Sequence, residues 1–326
     1  MNATRRTFAK LAGITLFAIA TGVQAQAWPS KPIRLVAPFP PGSSIDIIAR
    51  LLAEPMGQAL GTTVVVENRP GAGGNVGVDA VVKAPKDGYT IGIGSRGPLA
   101  INPFLVSGMS YDPVKDVAPI AVFGSSAIVL WVRAESPAKT LQQFVAQAKA
   151  QPGKLNYASD GVGTTNHLGG EALKSAAGVD IVHVPYKGTQ EALTALLQGD
   201  VQIFPAGLPP LVGQWKAGKI RPLATAMKAR DPQLPDVPTT SEAGIAGAEM
   251  FAWFALFAPA GTPPEILAKL RDALGVALAK PEVKDKLVSL GITPQLSTPQ
   301  EMAKLVQDEQ AKWGPVIKAS AAMKTN

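Results

Sequence analysis

The 326-residue sequence contains no cysteine and only two histidines, His167 and His183. The absence of cysteine excludes disulfides, thiol nucleophiles and thiolate metal sites. Two histidines are too few for a histidine-rich metal centre. We therefore expect neither a bound metal nor a cofactor.

Signatures of catalysis are also scarce. Residues 92–97 match the spacing of a dinucleotide-binding glycine motif, but Pro98 follows and no amphipathic helix opens there. No serine has the Gly-x-Ser-x-Gly surround of a hydrolase. We predict that the protein is not an enzyme and has no catalytic residues.

The amino-terminal segment is typical of an export signal. Arg5 and Arg6 precede a modest apolar stretch, and small residues then offer cleavage after Ala25 or Ala27. The apolar stretch is about half the roughly 20 residues that span a membrane. We predict that residues 1–27 form a cleaved, twin-arginine-type signal peptide and that the mature chain is periplasmic.

Excess positive charge is small. Removal of Arg5, Arg6 and Lys10 lowers the formal net charge from +7 to +4. Nucleic-acid-binding proteins show a basic stripe with interleaved aromatic residues, which this chain does not have. We expect no nucleic-acid partner, and we expect the protein to be a monomer.

Strand-like and helix-like segments alternate along about 300 mature residues, a length that suggests two domains. Alternation predicts an α/β fold with parallel sheets covered by helices. The apolar segments 117–133 and 251–259 are interpreted as hinge strands that cross between two lobes. The first lobe then comprises 28–126 plus 250–326, and the second comprises 127–249.

A recurring turn, in which glycine and hydroxyl residues lie between a strand and a helix, points to anion binding. It occurs at 42–44, at 161–165 and at 188–189. Each turn places backbone N–H groups at a helix N-terminus, where the helix dipole favours negative charge. A single such turn is an ordinary N-cap. The repetition predicts a charge-neutral receptor for an anion at the carboxyl ends of the strands.

Other polar residues near strand ends have two interpretations. Ser95 and Arg96 follow a strand, where Arg96 either forks onto a ligand carboxylate or is a surface arginine. His167 either points into the cleft or is structural, and Tyr186 either contacts the ligand or edges the cleft. We interpret His183 as a packing residue of a strand.

Motifs along the whole mature chain resemble the Bug family, the extracytoplasmic receptors of tripartite tricarboxylate transport that are related to TctC proteins. The ordered motifs are WPSKPIR at 28–34, PFPPG at 38–42, VENRPGAGGN at 66–75, KDGYT at 86–90, YDP at 111–113, LNYAS at 155–159, VHVPYKG at 182–188, LPDVPT at 234–239 and FAPAGTP at 257–263.

The resemblance implies a two-lobed Venus-flytrap fold of the periplasmic-binding-protein type, a carboxylated ligand and a membrane permease as partner. It assigns one group of residues to the first-lobe site: Phe39, Pro40, Ser43, Ser44 and Asp46. It assigns a second group to the opposing wall: Ser159, Gly163, Thr164, Thr165 and His167.

This sequence departs from the family pattern at two places. It has Ser95-Arg96 where relatives often carry a Thr/Ser-rich stretch, and Pro205-Ala206 where they often carry Asp-Asn. Losing an acidic residue and gaining Arg96 argues against an amino-acid ligand. We therefore predict a dicarboxylate or an aromatic carboxylate, terephthalate-like compounds included. A sensor that feeds a two-component system and a periplasmic hydrolase or isomerase remain the alternatives.

Overall fold

A computed structural model describes residues 28–319. The predicted signal peptide, with its cleavage sites, lies outside the described residues. No helix among residues 28–319 is both long enough and apolar enough to cross a membrane. The described chain is a mixed α/β protein of two lobes.

The first lobe is built on a six-stranded sheet with the order β10-β4-β9-β3-β1-β2. Its strands are β1 Ile33–Ala37, β2 Val64–Asn68, β3 Thr90–Ser95, β4 Val117–Arg133, β9 Phe251–Pro259 and β10 Ile292–Pro294. Strand β1 pairs in parallel with β2 and β3, whereas β3–β9, β9–β4 and β4–β10 are antiparallel. The sheet is therefore mixed: the pairs β1–β2 and β1–β3 are parallel, as the alternation predicts, and the remaining pairs are antiparallel.

Helices cover this sheet. They are α1 Ser44–Leu60, α2 Asn75–Val82, α3 Asn102–Leu105, α8 Pro264–Ala279, α9 Pro281–Ser289 and α10 Pro299–Ala319. Short 3-10 and π turns lie at Ala72–Gly74 and Gly97–Ile101. Helix α1 buries Ile48, Leu52 and Met56, whose four-residue spacing places them on one apolar face.

The second lobe continues from the far half of β4. Its other elements are β5 Leu155–Ser159, β6 Ile181–Pro185, β7 Phe204–Gly207, β8 Ile220–Thr225, α4 Leu141–Ala150, α5 Thr165–Ala177, α6 Thr189–Gln198 and α7 Val212–Lys216. Strands β7 and β8 pair antiparallel with β4, and β5 pairs in parallel with β6. A bridge between Tyr157 and Ile203 joins the β5–β6 pair to the rest.

Strand β4 joins the two lobes. Residues 117–127 pair with β9, and residues 128–133 pair with β7 and β8. The segment 124–126, Gly-Ser-Ser, has little strand preference, but the structure has one continuous strand here. The register of the β4–β9 pair shifts at Pro119/Ala121 and at Val122/Gly124, and the two strands stay paired on both sides of each shift.

The apolar core is divided in the same way. One cluster is formed mainly by side chains of the first lobe, including Leu35, Ile91 and Phe257. Two others fill the second lobe around Tyr157 and Trp131. The lobe boundaries near 126 and 250 stay a prediction, because Ile128 and Leu168 pack with the first cluster.

Candidate functional site

A cavity of about 50 Å³ lies between the lobes, where helices α1 and α5 both begin. Its wall comprises Phe39, Ser43, Ser44, Ile45, Ser95, Ile128, Asp160, Thr164, Thr165, Asn166, Gly207, Ala252 and Phe254. A wider cleft of about 600 Å³ shares Phe39 and Asp160 with this cavity. Pro40, Tyr186 and the glycine-rich segment 70–74 line the wider cleft.

The first-lobe side is a capped helix N-terminus. Ser43 Oγ accepts the Asp46 N–H at 3.2 Å, and Gly42 has a φ of 81°, which favours glycine. The N–H groups of the first helical turn have no partner within a helix. The Ser43 N–H itself donates to Pro40 O at 3.2 Å. Ser43 and Ser44 therefore place hydroxyls at one end of the cavity, beside the N–H groups of the first helical turn.

Asp46 lies behind this loop and not in the cavity wall. Its carboxylate accepts the Gly42 N–H and the Asn68 amide, each at 2.9 Å, and pairs with Arg50 at 3.0 Å. Burial raises the pKa of Asp46, but these three partners outweigh it and hold the pKa below its usual range. Asp46 therefore fixes the loop, and its contact with a ligand stays a prediction.

The second-lobe side repeats the arrangement. Thr164 Oγ1 accepts the His167 N–H at 3.3 Å and donates to Gly161 O at 2.8 Å. Thr165 follows in the wall of the cavity. Gly163 lies outside that wall, and its N–H donates to His167 Nδ1 at 3.2 Å. Two helix N-termini thus face one cavity from opposite lobes.

Both histidines lie beneath the second-lobe loop. The rings of His167 and His183 stack at 4.1 Å, and His183 stacks on Tyr157 at 4.9 Å. Burial lowers the pKa of His167 to about 4 and that of His183 to about 3, so both are neutral at pH 7. We infer a structural role for His167.

Ser159 and His183 have the separation of a nucleophile and a base, with 2.6 Å between Oγ and Nε2. However, Ser159 is fully buried and does not line the cavity. A substrate in the cavity has no access to the hydroxyl. The pair instead supports the loop, since Ser159 Oγ also bonds to Gly161.

Arg96 is held by contacts within the first lobe. Its guanidinium is buried, lies 2.8 Å from Glu309 Oε1 on α10, stacks on Phe251 at 4.7 Å and contacts the sulfur of Met250. It lies outside the cavity wall. The guanidinium already pairs through one terminal nitrogen with a carboxylate of the same lobe, whereas its Nε has no hydrogen-bond partner among residues 28–319. The predicted fork onto a ligand carboxylate stays a prediction.

Pro205 and Ala206 lie next to the cavity wall and not in it. Pro205 and Ala206 are buried in β7, where Ala206 O accepts the Trp131 indole N–H at 3.1 Å. Gly207 lines the cavity in their place, and a side chain built on it would point towards Ser44 Oγ at 3.7 Å. The second wall therefore approaches the first wall closely.

Several wall residues were missed by sequence reasoning: Ile45, Ile128, Asp160, Asn166, Gly207, Ala252 and Phe254. Asp160 and Asn166 belong to the same turn as Thr164, and an acidic residue directly after a strand was a usable signal. Ala252 and Phe254 alternate along β9, which places both on one face. Nothing in their local sequence distinguishes that face.

Backbone contacts bring the lobes together beside the cavity. A Cβ atom built at Gly97 would lie 2.6 Å from Gly163 O, and one at Gly188 would lie 2.9 Å from Pro40 Cγ. Gln190 Nε2 donates to Gly42 O at 3.1 Å across the same gap. We call these contacts the glycine seam, and they describe a closed arrangement of the lobes.

Comparison with known proteins gives consistent matches over most of the chain. The family model described as tripartite tricarboxylate transporter family receptor, TctC, matches residues 48–321. BugT of Bordetella pertussis is 34% identical over 323 residues, 99% of each chain. A solved R. palustris protein with adipate has a TM-score of 0.86 and 36% identity, covering 89% of this chain and 97% of that one. MatC from Rhodopseudomonas palustris with bound malate has a TM-score of 0.84 and 34% identity, covering 89% and 100%.

Proposed function

Because the chain belongs to the TctC family of tripartite tricarboxylate transporter receptors, which includes the Bug proteins, we propose that it captures a small carboxylate between its lobes. The ligand class is a dicarboxylate or an aromatic carboxylate, terephthalate-like compounds included. The protein delivers this ligand to a membrane transporter and catalyses no reaction.

The observation that carries this proposal is the convergence of two helix N-termini on one cavity. Helices α1 and α5 begin on opposite walls, each with a hydroxyl cap at Ser43 or Thr164. Backbone N–H groups and helix dipoles at such ends attract carboxylates without a cationic side chain. A ligand held by both ends favours the closed arrangement, since it contacts both lobes.

A dicarboxylate is supported by relatives and not by Arg96, whose guanidinium pairs with Glu309. The two solved relatives at 36% and 34% identity contain adipate and malate. Phe39 and Phe254 in the cavity wall add apolar surface for a hydrocarbon or aromatic body. The ligands of the two relatives and the aromatic residues of the cavity wall thus support a ligand with one carboxylate at the helix ends and an apolar body beside it.

The energies needed are modest. Micromolar binding corresponds to about 8 kcal/mol. Charge-assisted hydrogen bonds contribute roughly 1.5–3 kcal/mol each. Three or four such bonds from the two helix ends, with some apolar burial, reach that affinity after association costs.

Delivery requires a location and a partner. We propose that residues 1–27 are removed after Ala25 or Ala27 on export to the periplasm, and that the closed monomer then presents the ligand to a permease of the tripartite tricarboxylate type. Mass spectrometry of the periplasmic protein would identify its new amino terminus. Cytoplasmic retention of the full chain would contradict this part of the proposal.

Calorimetry and thermal shift with a panel of carboxylates test the ligand class. The panel contains adipate, malate, a tricarboxylate, terephthalate, benzoate and zwitterionic amino acids. Ser44→Ala should weaken binding roughly tenfold by removing one cavity hydroxyl. Ser175→Ala, on the exposed face of α5, is the matched control. Stabilisation by amino acids alone would refute the proposed ligand class.

A further inference from the structure

Asp160 lies where the inner cavity meets the wider cleft. Its Oδ2 accepts the Thr189 hydroxyl at 3.2 Å at the start of α6. Its Oδ1 is buried and has no hydrogen-bond partner within residues 28–319. The cavity wall therefore contains a carboxyl group with one oxygen unpaired.

The charges around Asp160 do not balance a second anion. Within the described chain, Asp160 is the one acidic or basic side chain in the wall of the inner cavity. The wider cleft adds Lys187, which is exposed, and the neutral phenol of Tyr186. On the elements behind the loop, His167 and His183 are uncharged at pH 7, and Lys174 pairs with Glu171 at 3.4 Å. A captured carboxylate thus approaches a carboxyl group with no cation between them.

We propose that Asp160 and the captured carboxylate share one proton, so that ligand binding takes up a proton from solvent. This inference rests on the proposed function. The proton forms an O–H···O⁻ hydrogen bond between the two groups, and no other bond forms or breaks. Asp160 then acts as a specificity residue that accepts a carboxylate only together with a proton.

Two physical arguments support the sharing. Two carboxylates in one small site cannot both stay ionised at low cost, so one pKa rises strongly. Before any ligand arrives, burial already raises the pKa of Asp160, although the Thr164, Thr189 and Asn166 side chains pull it down. Oδ1, which has no hydrogen-bond partner among residues 28–319, is the oxygen of this carboxyl group left to carry the proton.

Calorimetry of adipate and malate in buffers of different ionisation enthalpy counts the protons directly. Between about pH 6.5 and 8.5 the free ligands are fully ionised, so their own titration does not contribute. The unchanged protein should take up close to one proton, and its affinity should fall by up to about tenfold per pH unit. Asp160→Asn should take up none, bind with a pH-independent affinity and bind more tightly than the unchanged protein at the upper end of this range.

Two further variants sharpen the test. Because Asn before Gly161 can hydrolyse back to Asp, Asp160→Ser repeats the measurement with a neutral side chain. Asp180→Asn, an exposed acid at the opposite end of the β5–β6 pair, should keep the proton uptake. No uptake by the unchanged protein, with binding lost in Asp160→Asn, would overturn the inference and identify Asp160 as an ionised acceptor for a ligand donor group. If neither protein binds any carboxylate, the proposed function itself fails.

Discussion

Replacing Gly97 with alanine adds one methyl group to the glycine seam. The three atoms nearest to the added Cβ belong to Gly163 and Thr164 of the opposite lobe, with Gly163 O at 2.6 Å. The backbone at Gly97 does not have a positive φ, so alanine adds no local strain. The substitution therefore disfavours the closed arrangement alone.

The expected loss follows from the overlap. An ordinary contact of Cβ with oxygen is above 3.4 Å, so the lobes must separate by several tenths of an ångström or more. Overpacking of this kind costs about 1–3 kcal/mol. If ligand binds only the closed form, the dissociation constant rises roughly 5- to 150-fold. The melting temperature without ligand should stay unchanged, because the open form lacks the contact.

Titration calorimetry with a bound dicarboxylate measures the dissociation constant, and calorimetric unfolding measures the melting temperature. Gly213→Ala is the matched control, since a Cβ at Gly213 meets nothing within 4 Å. Gly188→Ala, which meets the Pro40 ring, should weaken binding as Gly97→Ala does. Unchanged affinity in both seam variants would refute the view that capture requires closure at this seam.

Three other perturbations separate stability from binding. Arg96→Ala leaves the Glu309 carboxylate buried without its partner and should lower the free energy of unfolding in urea by about 3–5 kcal/mol. Ligand affinity should stay unchanged. Lost affinity at full stability would instead identify Arg96 as a ligand contact. His167 and His183 have pKa values of about 4 and about 3 in the folded protein, against about 6.5 in the unfolded chain. As the pH falls below about 6.5, the unfolded chain therefore binds protons before the folded protein does, and the free energy of unfolding decreases. The slope should approach 1.4 kcal/mol per pH unit for each histidine between about pH 6 and 5, and a slope that is the same in His167→Asn would contradict the assignment. Ser43→Ala removes the N-cap of α1 and should lower stability by about 1 kcal/mol while weakening binding; a loss of stability alone would limit Ser43 to capping.

Local signals account for the parts of the fold and site that the sequence predicts. The glycine and hydroxyl turns before α1 and α5 depend on neighbouring residues, and Ser43 and Thr164 cap these helices as their patterns indicate. The apolar spacing of α1 is equally local. Such features are visible because capping and helical periodicity act over one or two turns.

Long-range pairing explains the failures. Arg96 meets Glu309, 213 positions later in the chain, and nothing near either residue specifies the other. Strand β4 stays continuous through 124–126 because β9 and β10 pair with it there, which overrides the weak strand preference of glycine and serine. The missed residues Ala252 and Phe254 reach the cavity only through the position of β9 between β3 and β4.

The network behind the loop from β1 to α1 has a consequence for how fast and how tightly a ligand is held. Asp46 fixes the Gly42 N–H, and Asn68 ties Asp46 to the Phe39 carbonyl at 3.0 Å. The conformational entropy of this loop is lost when the protein folds and not when the ligand arrives. Half of the site is therefore ordered before the ligand arrives, and the motion that capture requires is that of the other lobe towards it.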